Sequence, residues 1–168
     1  MRIANAHLLL DACCIINFAA SGCLFDILSC IPAQAVITEE VKNELTNLPC
    51  SEDGNNGSLV QFQLAIKEQV LTVTDFNSES EESLFIDYAF TLGDDGEAST
   101  AAIAIHRGWS MATDDKRAIS FFQREVPNLQ IISTLEIVQY WSQQAGLDAS
   151  ELRKRLESIQ NNGRYLID

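Results

Sequence analysis

Acidic residues recur at one kind of place along this chain. Asp11 directly follows an apolar run. Glu44 lies in "ITEEVKNEL", one turn beyond Glu40. Asp94, Asp95 and Glu97 open "GDDGEASTAAIA", and Asp114 and Asp115 close "MATDD". Carboxylate oxygens are the ligands preferred by hard divalent cations such as Mg²⁺ or Mn²⁺. A cluster of carboxylates carrying such ions can activate water and stabilise both oxygens of an in-line phosphodiester displacement. The ions also invert the local sign of the field, which lets a phosphate approach an acidic site. Each acid has an ordinary role too. Asp11 and Asp114 fit helix caps, Glu97 and its neighbours fit the positive end of a helix dipole, and Glu44 fits an exposed helix position near Lys42. What separates the two readings is whether the fold brings these residues to one edge.

The elements that must position them can be read from hydrophobic periodicity. Apolar runs at 6–10, 34–38, 70–75, 109–113 and 129–133 read as buried strands. Helical patterns fall between them: a pair around Gly22, one capped by Thr38 and running to about Leu48, one over 59–69, one over 78–92, and one from Asp95 ended by Gly108. Three more start at 115, 134 and 148, and a loop is expected at 50–58. Alternation of this kind implies one α/β domain with a mostly parallel sheet. In such sheets ligands bind beyond the carboxyl ends of the strands, where the strand order reverses. Asp11 and Asp114–Asp115 follow the first and fourth strands, and Glu97 opens the helix leading into the fourth. The expected division is a domain over 1–145 and a C-terminal helical extension over 146–168. That extension carries a narrow stripe of Leu152, Leu156 and Ile159, suited to its own domain or to a partner.

Composition narrows the classes. The chain has 168 residues, 46% of them hydrophobic, which is enough for a packed core and argues against disorder. No apolar run reaches the length of a membrane span and no signal peptide is evident, so a cytoplasmic protein is expected. The five cysteines are odd in number and form no C-x-x-C pair, so they read as buried thiols rather than a disulfide framework or zinc site. Adjacent Cys13 and Cys14 are expected in the core. The net charge is −13, with 3 basic and 13 acidic residues over 1–93 and 8 and 11 over 94–168. Any nucleic-acid contact therefore leans on the second half: Arg107, Lys116, Arg117, Arg124 and the 153–155 cluster. No P-loop, G-x-G-x-x-G or G-x-S-x-G occurs, and His7 and His106 are not spaced as metal ligands.

Taken in order, "LLLDACCIINFAASG", "ITEEVKNEL", "GDDGEASTAAIA" and "MATDDKRA" resemble the PIN-domain superfamily of metal-dependent nucleases, in particular its small prokaryotic members, many of them toxins of toxin–antitoxin pairs. The resemblance spans about residues 5–135. It implies a three-layer α/β/α fold with a parallel, about five-stranded sheet in which strands one and four are central neighbours. It implies site acids at Asp11, Glu44, Glu97 and Asp115, with Asp114 an additional or alternative ligand, and supporting roles for Asn17 and Thr113 close to them. Where many members carry Ser or Thr after the first Asp, Ala12 stands here.

The resulting expectation is a Mg²⁺- or Mn²⁺-dependent endoribonuclease. Asp11, Glu97, Asp114 and Asp115 would hold metal and Glu44 would join the catalytic set. Lys116 and Arg117 would contact the RNA. An antitoxin and a homodimer are the expected partners, and no membrane. A catalytically silent PIN fold used as an interaction module is the alternative that Ala12 and the acidic surface motivate. A phosphatase or receiver domain fits less well, since no D-x-D-x-T follows Asp11. Within "GDDGEASTAAIA", Glu97 is the acid expected to bind metal, and Asp94 or Asp95 is expected to cap the helix.

Overall fold

The computed structural model describes residues 1–45 and 57–164. The predicted loop at 50–58, apart from Gly57 and Ser58, lies outside the described residues, as do Cys50 and the predicted end of the third helix beyond Leu45. The strands are β1 (His7–Leu10), β2 (Gln34–Thr38), β3 (Leu71–Thr74), β4 (Ser110–Ala112) and β5 (Ile131–Ile132). They form one parallel sheet of order β3-β2-β1-β4-β5. β1 is therefore flanked by β2 on one side and β4 on the other, and the order reverses there. The ladder runs one residue past β1, where the Asp11 N–H donates to the Ala112 carbonyl at 3.0 Å. The fifth strand is shorter than the apolar run at 129–133 suggests, because it is an edge paired with β4 alone.

The helices are α1 (Ala12–Ala20), α2 (Leu24–Cys30), α3 (Glu39–Glu44), α4 (Gly57–Lys67), α5 (Glu79–Leu92), α6 (Asp95–Arg107), α7 (Lys116–Glu125), α8 (Thr134–Ala145) and α9 (Ala149–Asn162). Strand side chains alternate between two cores, as the period of two requires. Leu8, Leu10, Ala35 and Ile37 face α1, α2, α4, α8 and α9. Leu9, Val36 and Met111 face α6, α7 and the end of α5. The result is the three-layer α/β/α arrangement. In α6 every residue from Gly96 to Ala104 is buried, and most of them are small, so this helix sits close to the sheet and to α5. The Leu152, Leu156 and Ile159 stripe of α9 packs on the chain's own first core, beside α1.

Several charged residues are fully engaged in the scaffold. Buried Glu81 receives Arg107 Nε at 2.7 Å and Nη2 at 3.0 Å, and Arg107 also donates to Thr74 Oγ1 and the Asp75 carbonyl. The guanidinium holds the Glu81 carboxyl below the usual carboxylate range. This pair joins the starts and ends of three elements: α5, β3 and α6. No helix among the described residues is long and apolar enough to cross a membrane.

Candidate active site

Asp11 stands at the carboxyl end of β1 and is the N-cap of α1, with Oδ1 accepting from the Ala12 N–H at 2.7 Å. The cap is real, and it uses one oxygen only. Oδ2 turns toward Thr113, which follows β4 and is fully buried. Thr113 Oγ1 lies 3.2 Å from Asp11 Oδ2 and 3.2 Å from Glu97 Oε1, and it accepts from the Asp115 N–H at 3.2 Å. A hydroxyl has one hydrogen to give. It thus serves one of the two carboxylates at a time. Asp11 and Glu97 are only 7% and 6% exposed, so two carboxylates compete for one hydroxyl hydrogen in nearly dry surroundings, where a proton or a cation would relieve them.

Glu97 reaches this point because Asp94 caps α6. Asp94 Oδ1 accepts from the Glu97 N–H at 2.9 Å, which starts the helix with Glu97 in its first turn. Burial, then the charges of Asp11, Asp115 and Asp94, push the Glu97 carboxyl up to about 8. Burial is also the main cause that raises Asp11 above its usual range, with hydrogen bonds from Cys13, Ala12 and Thr113 opposing it. Glu44, at the end of α3, is exposed as a residue, yet its carboxylate lies against the Gly96 N–H. Partial burial there, then the charges of Asp94 and Asp11, push it up to about 7. A Cβ on Gly96 would collide with Glu44 Oε1 and lie 2.9 Å from Glu44 Cδ. Gly96 is the position that lets α3 and α6 bring their acids together.

The two adjacent aspartates divide their roles. Asp115 is the N-cap of α7, accepting from the Ala118 N–H at 2.8 Å, and its charge is felt at Glu97. Asp114 accepts from the Thr134 N–H at 2.8 Å through Oδ1 and from Asn17 Nδ2 at 3.0 Å through Oδ2. It ties the turn after β4 to the first turn of α8 and to α1. Asn17 is fully buried and meets the site through Asp114, not through Asp11, from which it lies nearly two turns along the helix.

Asp11, Glu44, Glu97, Asp114 and Asp115 line a single cleft of about 640 Å³, together with Lys116 and Arg117. Two further charged residues line it that sequence reasoning did not place there. Asp94 combines its cap with a charge that faces Asp11, Glu44 and Glu97. Arg164 enters from the far end of the chain and draws the Glu44 carboxyl down. Nothing in the local sequence signals this. Of the other cations expected to favour nucleic acid, Arg107 is held by Glu81, Arg155 donates to the Ser21 carbonyl, and Arg124 pairs with Glu125. These hydrogen bonds lie within the chain; the Arg124 side chain remains largely exposed, and Arg107 is the one drawn into the scaffold.

Cys14 is buried as expected, but Cys13 also borders the cleft. The two sulfurs and a carboxylate oxygen of Asp114 lie within 4.8 Å of one another, close enough to share an ion. The contact with Cys14, together with burial, raises the Cys13 thiol. For Cys14 the contact with Cys13 acts downward, and burial with the nearby aspartate charges outweighs it. Both thiols are thus held protonated. The neighbouring carboxylates form an all-oxygen donor set with excess negative charge. By its chemistry, an oxygen-donor set of this kind suits a hard divalent cation, whereas thiols suit softer ions.

The sequence model of a family described as a PIN domain, a class that is generally nucleolytic and metal-using, matches residues 7–168. The chain matches no curated protein and no solved structure at a significant level. The family match begins in β1 and takes in all four acidic stretches and the helix that delivers Arg164. The chain belongs to the PIN-domain superfamily.

Proposed function

We propose that this protein is a Mg²⁺- or Mn²⁺-dependent endoribonuclease. The observation that carries the reading is the Thr113 hydroxyl placed 3.2 Å from an oxygen of Asp11 and 3.2 Å from an oxygen of Glu97. Two nearly buried carboxylates from separate elements converge with one donor between them. A divalent cation held there by Asp11, Glu97 and Asp115 would neutralise the cluster, polarise a phosphoryl oxygen and lower the pKa of an attacking water. Thr113 sets the rotamers of Asp11 and Glu97. Asp114, through Asn17 and Thr134, holds the turn on which Thr113 and Asp115 sit and completes the acidic set. Glu44, at about 7, is suited to take a proton from water and return one near neutrality. Lys116 and Arg117 would meet the phosphodiester backbone at the lip of the cleft. The toxin role belongs to the same reading, and its antitoxin would act by covering this cleft.

The experiment compares wild type with Asp11→Asn on single-stranded RNA and on a phosphomonoester, with and without Mn²⁺, alongside calorimetric Mn²⁺ titration. Wild type is expected to bind Mn²⁺ and cut RNA. Asp11→Asn is expected to lose about 10³-fold in rate, the scale of several kcal/mol of metal stabilisation. A wild type that binds no metal sinks the nuclease reading and leaves the interaction module. Turnover of the monoester alone would make the protein a phosphatase.

The contact between Glu44 and Gly96 gives a separate expectation. Gly96→Ala favours the helix by about 0.5–1 kcal/mol, and what it displaces is the end of a flexible side chain. The fold should survive while Glu44 is pushed out of the cleft. Gly96→Ala and Glu44→Gln are each expected to slow cleavage about 10²-fold with no fall in thermal midpoint. Full activity in Gly96→Ala would show that this placement of Glu44 does not matter.

A further inference from the structure

We propose that Arg164 is a phosphate-contacting residue of the cleft, delivered by α9 to bind the phosphodiester backbone of a single-stranded nucleic acid. The proposal rests on the nuclease reading and adds to it a residue from the far end of the chain.

Its placement is built from the backbone. The Arg164 N–H donates to Asn17 Oδ1 at 2.7 Å, and the other end of that fully buried amide donates to Asp114. One side chain thus holds both a site aspartate and the backbone of the arginine. Gly163 closes α9 with its N–H on the Ile159 carbonyl at 2.8 Å. A Cβ at Gly163 would collide with Asn17 Oδ1 and lie 2.6 Å from that same carbonyl, so only glycine lets the chain pass this close to Asn17. Upstream, Ser158 Oγ donates to the Ala20 carbonyl at 2.7 Å and Arg155 Nη1 to the Ser21 carbonyl at 3.0 Å, while Ile159 is buried. α9 is docked on the carboxyl end of α1, whose other end begins at Asp11. The exposed Arg164 side chain is therefore carried by a fixed backbone, not by a wandering tail.

Its charge answers a specific difficulty. Asp11, Glu44, Asp94, Glu97, Asp114 and Asp115 all line the cleft, so an anionic strand is repelled wherever the metal does not reach. Among the cleft's cations, Arg117 donates through Nη2 to the Thr91 carbonyl at 2.6 Å, which directs it toward α5. The Arg164 charge acts at Glu44, whose carboxyl it draws down. A guanidinium offers a planar fork of donors matched to two phosphate oxygens. With Lys116 and Arg117, Arg164 would give the carboxylate cleft several cations, so that a strand could be held by more than one phosphate.

The test uses the full chain as wild type, Arg164→Gln and Arg164→Lys. Binding of a labelled 12-nucleotide RNA is followed by anisotropy against salt, and cleavage is measured with Mn²⁺. Arg164→Gln is expected to weaken binding and raise KM about tenfold or more, as loss of a charged hydrogen bond implies. When each variant is compared at its own pH optimum, kcat should change far less than KM, because the arginine reaches Glu44 only through its charge. The slope of log affinity against log salt should shrink by about 0.7, one phosphate contact on a single strand. Arg164→Lys should restore the slope and only part of the affinity. Thermal midpoints should match wild type, because Arg164 itself is anchored through its backbone N–H, which the substitution keeps. Unchanged binding and slope in Arg164→Gln overturns the proposal and leaves the nuclease reading standing. Tighter RNA binding or faster cleavage in Arg164→Gln also overturns it, and makes the arginine a plug; tighter Mn²⁺ binding alone is expected, since a positive charge has left an acidic cleft. A wild type that neither binds nor cuts RNA retires both.

Discussion

Glu97→Gln is expected to abolish metal-dependent cleavage, by about 10³-fold or more, while making the metal-free protein more stable at pH 8. The two effects have opposite signs for one reason. Glu97 is nearly buried, faces the charges of Asp11, Asp115 and Asp94, and holds its proton up to about 8. Without a cation, ionising it costs the fold stability. Glutamine keeps the shape and a carbonyl oxygen that can accept from Thr113, and it removes the charge. Relief of about 1 kcal/mol corresponds to about 2–4 °C in midpoint for a chain of this size. The same substitution removes a ligand oxygen from the metal centre, so calorimetry should show Mn²⁺ affinity lost. The measurements are a melt at pH 8 in chelator, a Mn²⁺ titration and a cleavage assay. A glutamine variant that is destabilised and still cuts RNA would remove Glu97 from the centre.

The second large effect is on pH. In the metal-free fold Glu44 and Glu97 titrate at about 7 and about 8, against an ordinary value of 4.5 for both. Between pH 4.5 and 8 the native state keeps protons that the unfolded chain has released, so stability falls as pH rises. The contribution is complete below pH 4.5 and lost as pH passes through 7 and then 8. Asp11, also raised, adds in the same direction. Glu81 is shifted the opposite way by Arg107, so its effect falls below pH 4.5 and outside this window. The thermal midpoint in chelator should therefore decline steadily from pH 5 to pH 8.5. Saturating Mn²⁺ should flatten that decline, so the stabilisation by metal grows with pH, and binding should release protons. Melts at half-unit pH steps, with and without Mn²⁺, decide the matter. A midpoint in chelator that is flat or rises from pH 5 to pH 8 would mean that the carboxylates are not crowded as described.

Two neighbouring pairs show how far residue type goes. Asp94 and Asp95 are equivalent as caps on paper, and in the fold Asp94 takes the cap and also turns its charge on Glu97. Asp114 and Asp115 are equivalent as ligands on paper. The start of α8 and Asn17 occupy both oxygens of Asp114, while Asp115 caps α7 and faces Glu97. In each pair the choice rests on a turn geometry that one residue of offset reverses. The basic residues show the same limit. Arg107 and Arg164 have the same chemistry, but α5 supplies a buried glutamate beside the first, and α9 carries the second to the cleft.

The sequence by itself determined the elements and their kind. Apolar runs of strand length alternating with helical periods require a parallel sheet covered on both faces, and acids just beyond two of those strands mark the edge where chemistry is possible. These are local properties, set by backbone period, capping and side-chain type. Only the tertiary structure decided which acids share a donor, that Gly96 makes room for Glu44, and that a buried amide at Asn17 joins residue 164 to the aspartate at 114. Those are contacts between residues 16 to 147 positions apart. Their distances depend on how β1 and β4 pair and how closely α6 and α9 pack, and no local pattern carries that information.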